Sequence, residues 1–353
     1  MAGLASFATL ALLSGACLTS GCSSIGYLAQ SVSGHLDLVS RARPVQEWTR
    51  DAATPEALRQ RLALAQRMRD FAVAELGLPD NRSYRSYADL GRSAAVWNVV
   101  AAPELSLTLE TWCFPGVGCV GYRGYYEQAA ADAMAAELRA RGLEASVYPV
   151  PAYSTLGKLD WLGGDPLLNT FIEQPEGELA RLIFHELAHQ VAYAEGDTSF
   201  NESFATAVER LGGERWLARQ GTPAAREQYA ALDARRRDFR ELTGRYREQL
   251  DTLYKSSAND ADKRQRKATL MQALRSDYAA LKAGRWGGYA GYDAWFTRAN
   301  NASFGVLAAY TEWVPQFERL YEREGRDFTR FYAEVKRLSG LPKVSMRAAS
   351  RNC

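Results

Sequence analysis

The chain has 353 residues, enough for one large domain or two smaller ones around a buried core. Its 43 Lys and Arg against 41 Asp and Glu leave a formal charge of +2, without the basic excess of a dedicated nucleic-acid binder. Aromatic residues at 11% exclude an intrinsically disordered chain.

Residues 1–21 carry no charged side chain, and residues 4–17 are almost entirely small or apolar. The run is too short to span a bilayer, which needs about 20 apolar residues. Its length is that of a secretory h-region, and small residues follow it, as in a signal peptide. Leu18-Thr19-Ser20-Gly21-Cys22 resembles a bacterial lipoprotein box, in which Cys22 becomes the lipidated first residue of the mature chain. A cleaved soluble-export signal is the alternative. By the same resemblance, Ser23 after the cysteine implies delivery to the outer membrane, facing the periplasm.

Thr54-Pro55-Glu56 reads as an N-cap, a Pro at the first helical position and an acid in the first turn. The predicted helix runs to Leu76, with Leu58, Leu62, Ala65, Met68 and Val73 near a helical period, and Gly77 and Pro79 stop it. The texture then changes. Val96, Trp97, Val99 and Val100, then Leu105, Leu107 and Leu109 in alternation, then the segment after Cys119 predict two or three antiparallel strands. Cys113 and Cys119 flank a turn-rich loop, and in an exported chain a structural disulfide is the expected outcome. A redox-active pair is the alternative, although the spacing is not Cys-x-x-Cys. Residues 127–141 read as an Ala-rich helix ended by Gly142, residues 145–150 as a further strand, and the chain from Gly177 onward as helix almost throughout.

Thr222-Pro223 opens a long charged helix in which Leu232, Phe239, Tyr246 and Leu253 recur every seven residues. After a loop at 256–260, Leu270, Leu274, Tyr278 and Leu281 mark a return helix, so the pair is a hairpin with a narrow apolar seam. The basic clusters at 235–237 and 263–267 invite a nucleic-acid or anionic-lipid reading. Asp233, Asp238 and Glu241 among them favour a solvated helix face.

His185-Glu186-Leu187-Ala188-His189 is an H-E-x-x-H pattern, and it takes two of the three histidines in the chain. Helix positions i and i+4 share a face, so both imidazoles reach one ion while Glu186 sits beside the open coordination position. Two buried structural histidines are the alternative. A catalytic zinc site takes a third protein ligand. His35 lies far upstream and is not nominated. Glu202, beyond a break at Gly196-Asp197, is the predicted third ligand. Glu209, two turns further along the same face, is either an outer partner or the competing ligand.

His185–His189 followed by Asn201-Glu202-Ser203-Phe204-Ala205 resembles the gluzincin zinc peptidases, whose two His and one Glu come from adjacent helices. A closer resemblance, over nearly the whole mature chain, is to the bacterial putative-aminopeptidase lipoprotein family. It is carried by Val96-Trp97-Asn98-Val99, Ala102-Pro103-Glu104-Leu105, Trp112-Cys113-Phe114-Pro115 through Cys119, and Tyr122-Arg123-Gly124-Tyr125. Ala152-Tyr153-Ser154-Thr155-Leu156-Gly157, Asp165-Pro166-Leu167-Leu168 and Asn300-Asn301-Ala302 continue it. The resemblance implies an aminopeptidase acting on peptides with one zinc ion held by His185, His189 and Glu202. Asn201 and Glu209 would stand behind these ligands. Glu186 would be the general base on zinc-bound water, later passing the proton to the leaving amine. The developing oxyanion needs another donor, for which Tyr153 and Tyr289 are candidates, each alternatively a core or rim aromatic.

The expected fold is α+β and predominantly helical. A signal peptide at 1–21 precedes a metallopeptidase core at 22–221 with a small antiparallel sheet and a zincin-like two-helix metal site. A helical hairpin at 222–284 and a C-terminal helical part at 285–353, packed on the core, complete the chain. The expected function is zinc-dependent peptide hydrolysis in the bacterial cell envelope, by a lipid-anchored enzyme with a peptide substrate and no nucleic-acid partner. A non-catalytic envelope lipoprotein that keeps the fold for binding or assembly is the alternative. Glu186 speaks for the enzyme, because a structural zinc site has no use for a base beside an open position.

Overall fold

The structure is a computed structural model, and it describes residues 27, 30–114, 118–152, 155 and 163–341. Helix α1 (30–40) leads through β1 (Arg43–Pro44) and α2 (Val45–Arg50) to α3 (Glu56–Leu76). Leu62, Ala65, Met68, Ala72 and Leu76 form the buried stripe of α3. Gly77, at φ 62°, closes the helix in the left-handed conformation that a Cβ disfavours.

Two small sheets follow. β2 (Ser86–Ala88) pairs antiparallel with β1 and parallel with β8 (Leu167–Leu168). In the larger sheet β3 (Val96–Pro103) lies between β6 (Arg123–Tyr125) and β7 (Leu143–Val150), antiparallel to both. Side chains of β3 alternate between two layers. Trp97, Val99 and Ala101 pack beneath α4 (Gln128–Ala140), whereas Val100 and Ala102, and with them Asn98, face α10 (Asn301–Thr311). β4 (Trp112–Phe114) and β5 (Gly118–Val120) form a separate ribbon in which Cys113 pairs with Cys119, joined by a disulfide.

Leu105, Leu107 and Leu109 do not form the expected strand. Pro103 ends β3, the Ser106 N–H turns back to the Pro103 carbonyl at 3.2 Å, and the Glu110 N–H reaches the Ala101 carbonyl at 2.8 Å. Their alternation instead divides the side chains between two cores, Leu107 against the hairpin and Leu109 against the layer between sheet and α10. Gly305 of α10 makes that contact possible, since a Cβ there would lie 2.6 Å from Leu109 Cδ2.

The remaining described chain is mainly helical. α5 (Glu176–Ala188) and α6 (Thr198–Arg219) cross the largest core cluster. α7 (Pro223–Lys255) and α8 (Asp260–Ala283) form the hairpin, each opened by a side-chain cap: Thr222 Oγ1 accepts the Ala225 N–H at 3.1 Å, and Asn259 Oδ1 the Asp262 N–H at 2.9 Å. Phe239, Leu242, Tyr246 and Leu250 meet Met271, Leu274 and Tyr278 across its seam. The basic clusters are drawn inward in part: Arg236 bonds Glu178 at 2.6 Å, and Lys267 is buried against Glu144 and the Glu104 carbonyl. A solvated face therefore describes only some of these cations. After α9 (Asp293–Arg298) and α10, the helices α11 (Val314–Arg323) and α12 (Phe328–Ser339) bring Phe317 and Phe331 onto Phe204 of α6. Among the described residues no helix is long and apolar enough to cross a membrane.

Candidate metal centre

α5 carries the H-E-x-x-H segment at its C-terminal end, with Leu179, Ala180, Ile183, Phe184 and Leu187 anchoring it in the core. The helix stops at Ala188 and His189 caps it. The chain then turns through Gly196, at φ 72°, into Asp197, whose Oδ1 accepts the Phe200 N–H at 3.1 Å and starts α6. Asn201 clamps the turn from within: its amide donates to the Ala194 carbonyl at 2.9 Å and accepts the Ala194 N–H at 2.7 Å. Further along, Gly212 and Gly213 let α5 approach. A Cβ on either would lie within 3.0 Å of a side chain, Phe184 Cδ2 at 2.9 Å for Gly212 and Arg181 Cγ at 2.8 Å for Gly213.

This crossing brings together three ligand atoms. His185 Nε2 and His189 Nε2 are 3.2 Å apart, and Glu202 Oε2 lies 3.3 Å from the first and 3.6 Å from the second. Tetrahedral ligands at about 2.0–2.2 Å from one ion are separated by about 3.3–3.6 Å, so the triangle has the size of such a site. Its chemistry agrees. Glu202 Oε2 is buried and accepts no hydrogen bond, while the Nε2 atoms of two imidazoles turn towards it. Three such atoms at this spacing repel unless a proton or a metal cation lies among them. His185, His189 and Glu202 are thus a group that can hold a metal ion.

Glu209 completes the frame from behind. Its Oε2 is 2.9 Å from His185 Nδ1, and its Oε1 is bonded to Arg181, one helical turn before His185. An Nδ1–H donated to this carboxylate leaves the Nε2 lone pair free for an ion, the arrangement that fixes the tautomer of a ligating histidine. Burial alone would raise the Glu209 pKa, but Arg181 and His185 bring it down to about 2. Burial opposes charge on His185 as well, yet Glu202 and Glu209 together raise its pKa well above the ordinary value. Glu202 is held below the usual carboxylate range, against its own burial, by His189 and His185. Glu186 behaves differently: it is half-buried, and burial raises its pKa against the pull of the two imidazoles.

Tyrosines surround the site, and sequence reasoning missed them. Tyr310 of α10 stacks over His185 with centroids 6.3 Å apart and an interplanar angle of 21°. Tyr122, before β6, and Tyr148, on β7, have phenols whose pKa burial raises and the Glu202 carboxylate raises further, to about 12 for Tyr148. Tyr148 accepts a hydrogen bond from Asn98 at 3.4 Å, its direct partner across β3 and β7. The alternation Glu144, Ser146, Tyr148 on the α10 side was available in the sequence as a signal; Tyr310 had none. Tyr289 sits in the aromatic cluster of the hairpin, under Arg235 and beside Trp286 and Tyr292. It has no contact with the His185–Glu202 group among the described residues. Tyr153 and Cys22 lie outside the described residues.

No curated protein and no solved structure matches the chain. Residues 26–350 match the family described as "Putative aminopeptidase", a span that takes in the sheets, both metal-centre helices and the hairpin. The chain belongs to that family.

Proposed function

We propose that the protein is a zinc-dependent metallopeptidase of the gluzincin type, an aminopeptidase held at the bacterial cell envelope by lipid on Cys22. The observation that carries this reading is the triangle of His185, His189 and Glu202, with His185 locked from behind by Glu209. Three protein ligands converge among the described residues rather than four, which suits a catalytic zinc site with an open position better than a closed structural one. Zinc bound there would supply a Lewis acid for the scissile carbonyl and a water of lowered pKa.

Glu186 is next to a ligand in sequence yet outside the converging group, the placement a general base requires. It takes a proton from the attacking water and returns it to the departing amine. Its raised pKa favours the first half of that exchange, since it makes the carboxylate a stronger base towards the water. Tyr122, Tyr148 and Tyr310 join Tyr153 as candidate donors to the developing oxyanion. Tyr289 is engaged by Arg235 and Trp286 in the hairpin and is the weaker candidate.

The reading is tested by metal analysis of the purified mature protein together with hydrolysis of free-amine and N-blocked peptides. One zinc per chain and cleavage restricted to free-amine peptides are expected. A metal-free protein that cleaves neither set would refute it. For the anchor, Cys22→Ala should leave the protein unprocessed or release it from membranes. Unchanged mass and fractionation would remove that part.

A further inference from the structure

A cavity of about 200 Å³ lies between α7 and α10, with Phe304 and Leu307 at its base and Arg240, Arg247, Glu248 and Glu312 around it. Phe304 is fully buried, whereas Glu248 and Glu312 are exposed, so the space runs from an apolar floor to a charged rim. Arg240 and Arg247 stand seven residues apart on α7 and so share one face of it. Neither guanidinium has a hydrogen-bond or ion-pair partner among the described residues, and Nε of Arg247 is buried. A buried guanidinium N–H without an acceptor is costly, so an acceptor from outside the chain is the natural complement. Burial and then neighbouring Arg210 work against the Arg240 charge, and Asp233 offsets this in part.

A carboxylate alone would not use the acids on the rim. A free amino acid with an apolar side chain meets all three surfaces at once. Arg240 and Arg247 are available to its carboxylate, Glu248 and Glu312 to its ammonium, and Phe304 and Leu307 to its side chain. The cavity volume is enough for a small molecule such as an amino acid.

We infer that this cavity is a second binding site, separate from the metal centre, for a free apolar amino acid. The ligand belongs to the product class of the aminopeptidase reaction proposed above, and in that choice the inference rests on that reading. α10 links the two places. It contributes Phe304 and Leu307 to the cavity, Glu312 follows at its C-cap, and from the same helix Tyr310 stacks on His185. A bound product would therefore touch the same helix that carries Tyr310 onto His185.

Calorimetric titration of the zinc-loaded protein with L-leucine, N-acetyl-leucine and leucinamide tests the site. Leucine should bind, and each blocked analogue should bind at least about tenfold more weakly, the typical effect of losing one charge-assisted hydrogen bond. The double variant Arg240→Ala, Arg247→Ala should lose the binding, whereas Glu202→Ala, crippled at the metal centre, should keep it. Should the arginine variant fail to fold, the exposed pair Glu248→Gln, Glu312→Gln serves instead, with weakened leucine and unchanged N-acetyl-leucine expected. Binding abolished by Glu202→Ala, leucine affinity untouched by the arginine or glutamate variants, or no saturable binding at all would each overturn the inference. Peptide hydrolysis measured on the same preparations stands apart, because it can fail while leucine still binds.

Discussion

Replacing Glu209 should damage two things in a predictable order. In the intact protein this carboxylate faces Arg181 on one side and His185 Nδ1, at 2.9 Å, on the other. Glu209→Ala leaves Arg181, only 5% exposed, without its main counter-charge. Breaking a buried pair typically costs about 3–5 kcal/mol, and the nearby Glu178 should keep the loss towards the lower end. His185 also loses the acceptor that keeps its proton on Nδ1. The ring can then place that proton on Nε2, where the ion needs a lone pair. Loss of such an outer partner costs about 10–100-fold in metal affinity. Glu209→Gln separates the two effects. Its amide oxygen can still accept from Nδ1, so zinc affinity should recover in part, but Arg181 remains unneutralised and the stability loss persists. Chelator competition reports the first quantity, and denaturant unfolding of the metal-free protein reports the second. A Glu209→Ala protein as stable as the parent, binding zinc equally tightly, would refute the argument for this carboxylate.

Glu186→Gln should abolish peptide hydrolysis while zinc content stays at that of the parent; loss of the metal instead would make Glu186 a ligand. Glu202→Ala leaves two imidazoles, so metal content should fall along with activity, as measured by atomic absorption after dialysis. In the acid range, Glu209 has a folded pKa of about 2 against an ordinary 4.5, so its contribution to stability is complete above 4.5 and lost as pH falls towards 2. Metal-free Glu209→Gln should therefore show a flatter decline of stability across that window than the parent, and parallel curves would contradict the assignment. Asn201→Ala removes both bonds that hold the Ala194 backbone, each worth about 1 kcal/mol or more once its partner is left buried. Lower stability together with weaker zinc binding is expected, because the turn sets where Glu202 emerges; a loss of stability alone would show that α6 keeps its register without the clamp.

The features legible in the sequence are those decided by short stretches of chain. The 3.6-residue repeat puts His185 and His189 on one helix face whatever surrounds them. Gly77 and the capping residue Thr222 mark helix ends because backbone N–H groups and left-handed turns are satisfied locally. Spacing alone left Glu202 and Glu209 as rival ligands, since two turns of helix keep both on the same side. The crossing of α5 and α6, clamped by Asn201 and allowed by Gly212 and Gly213, gives each nitrogen of His185 its own carboxylate: Nε2 faces Glu202 and Nδ1 faces Glu209. The leucines at 105, 107 and 109 imitate a strand because alternation records which side is buried, not whether a neighbouring strand is there to pair with. Tyr310 reaches His185 only because α10 packs across the sheet from residues more than a hundred positions away. No local pattern announces such a contact, as its energy comes from burial between distant segments rather than from the backbone beneath the side chain.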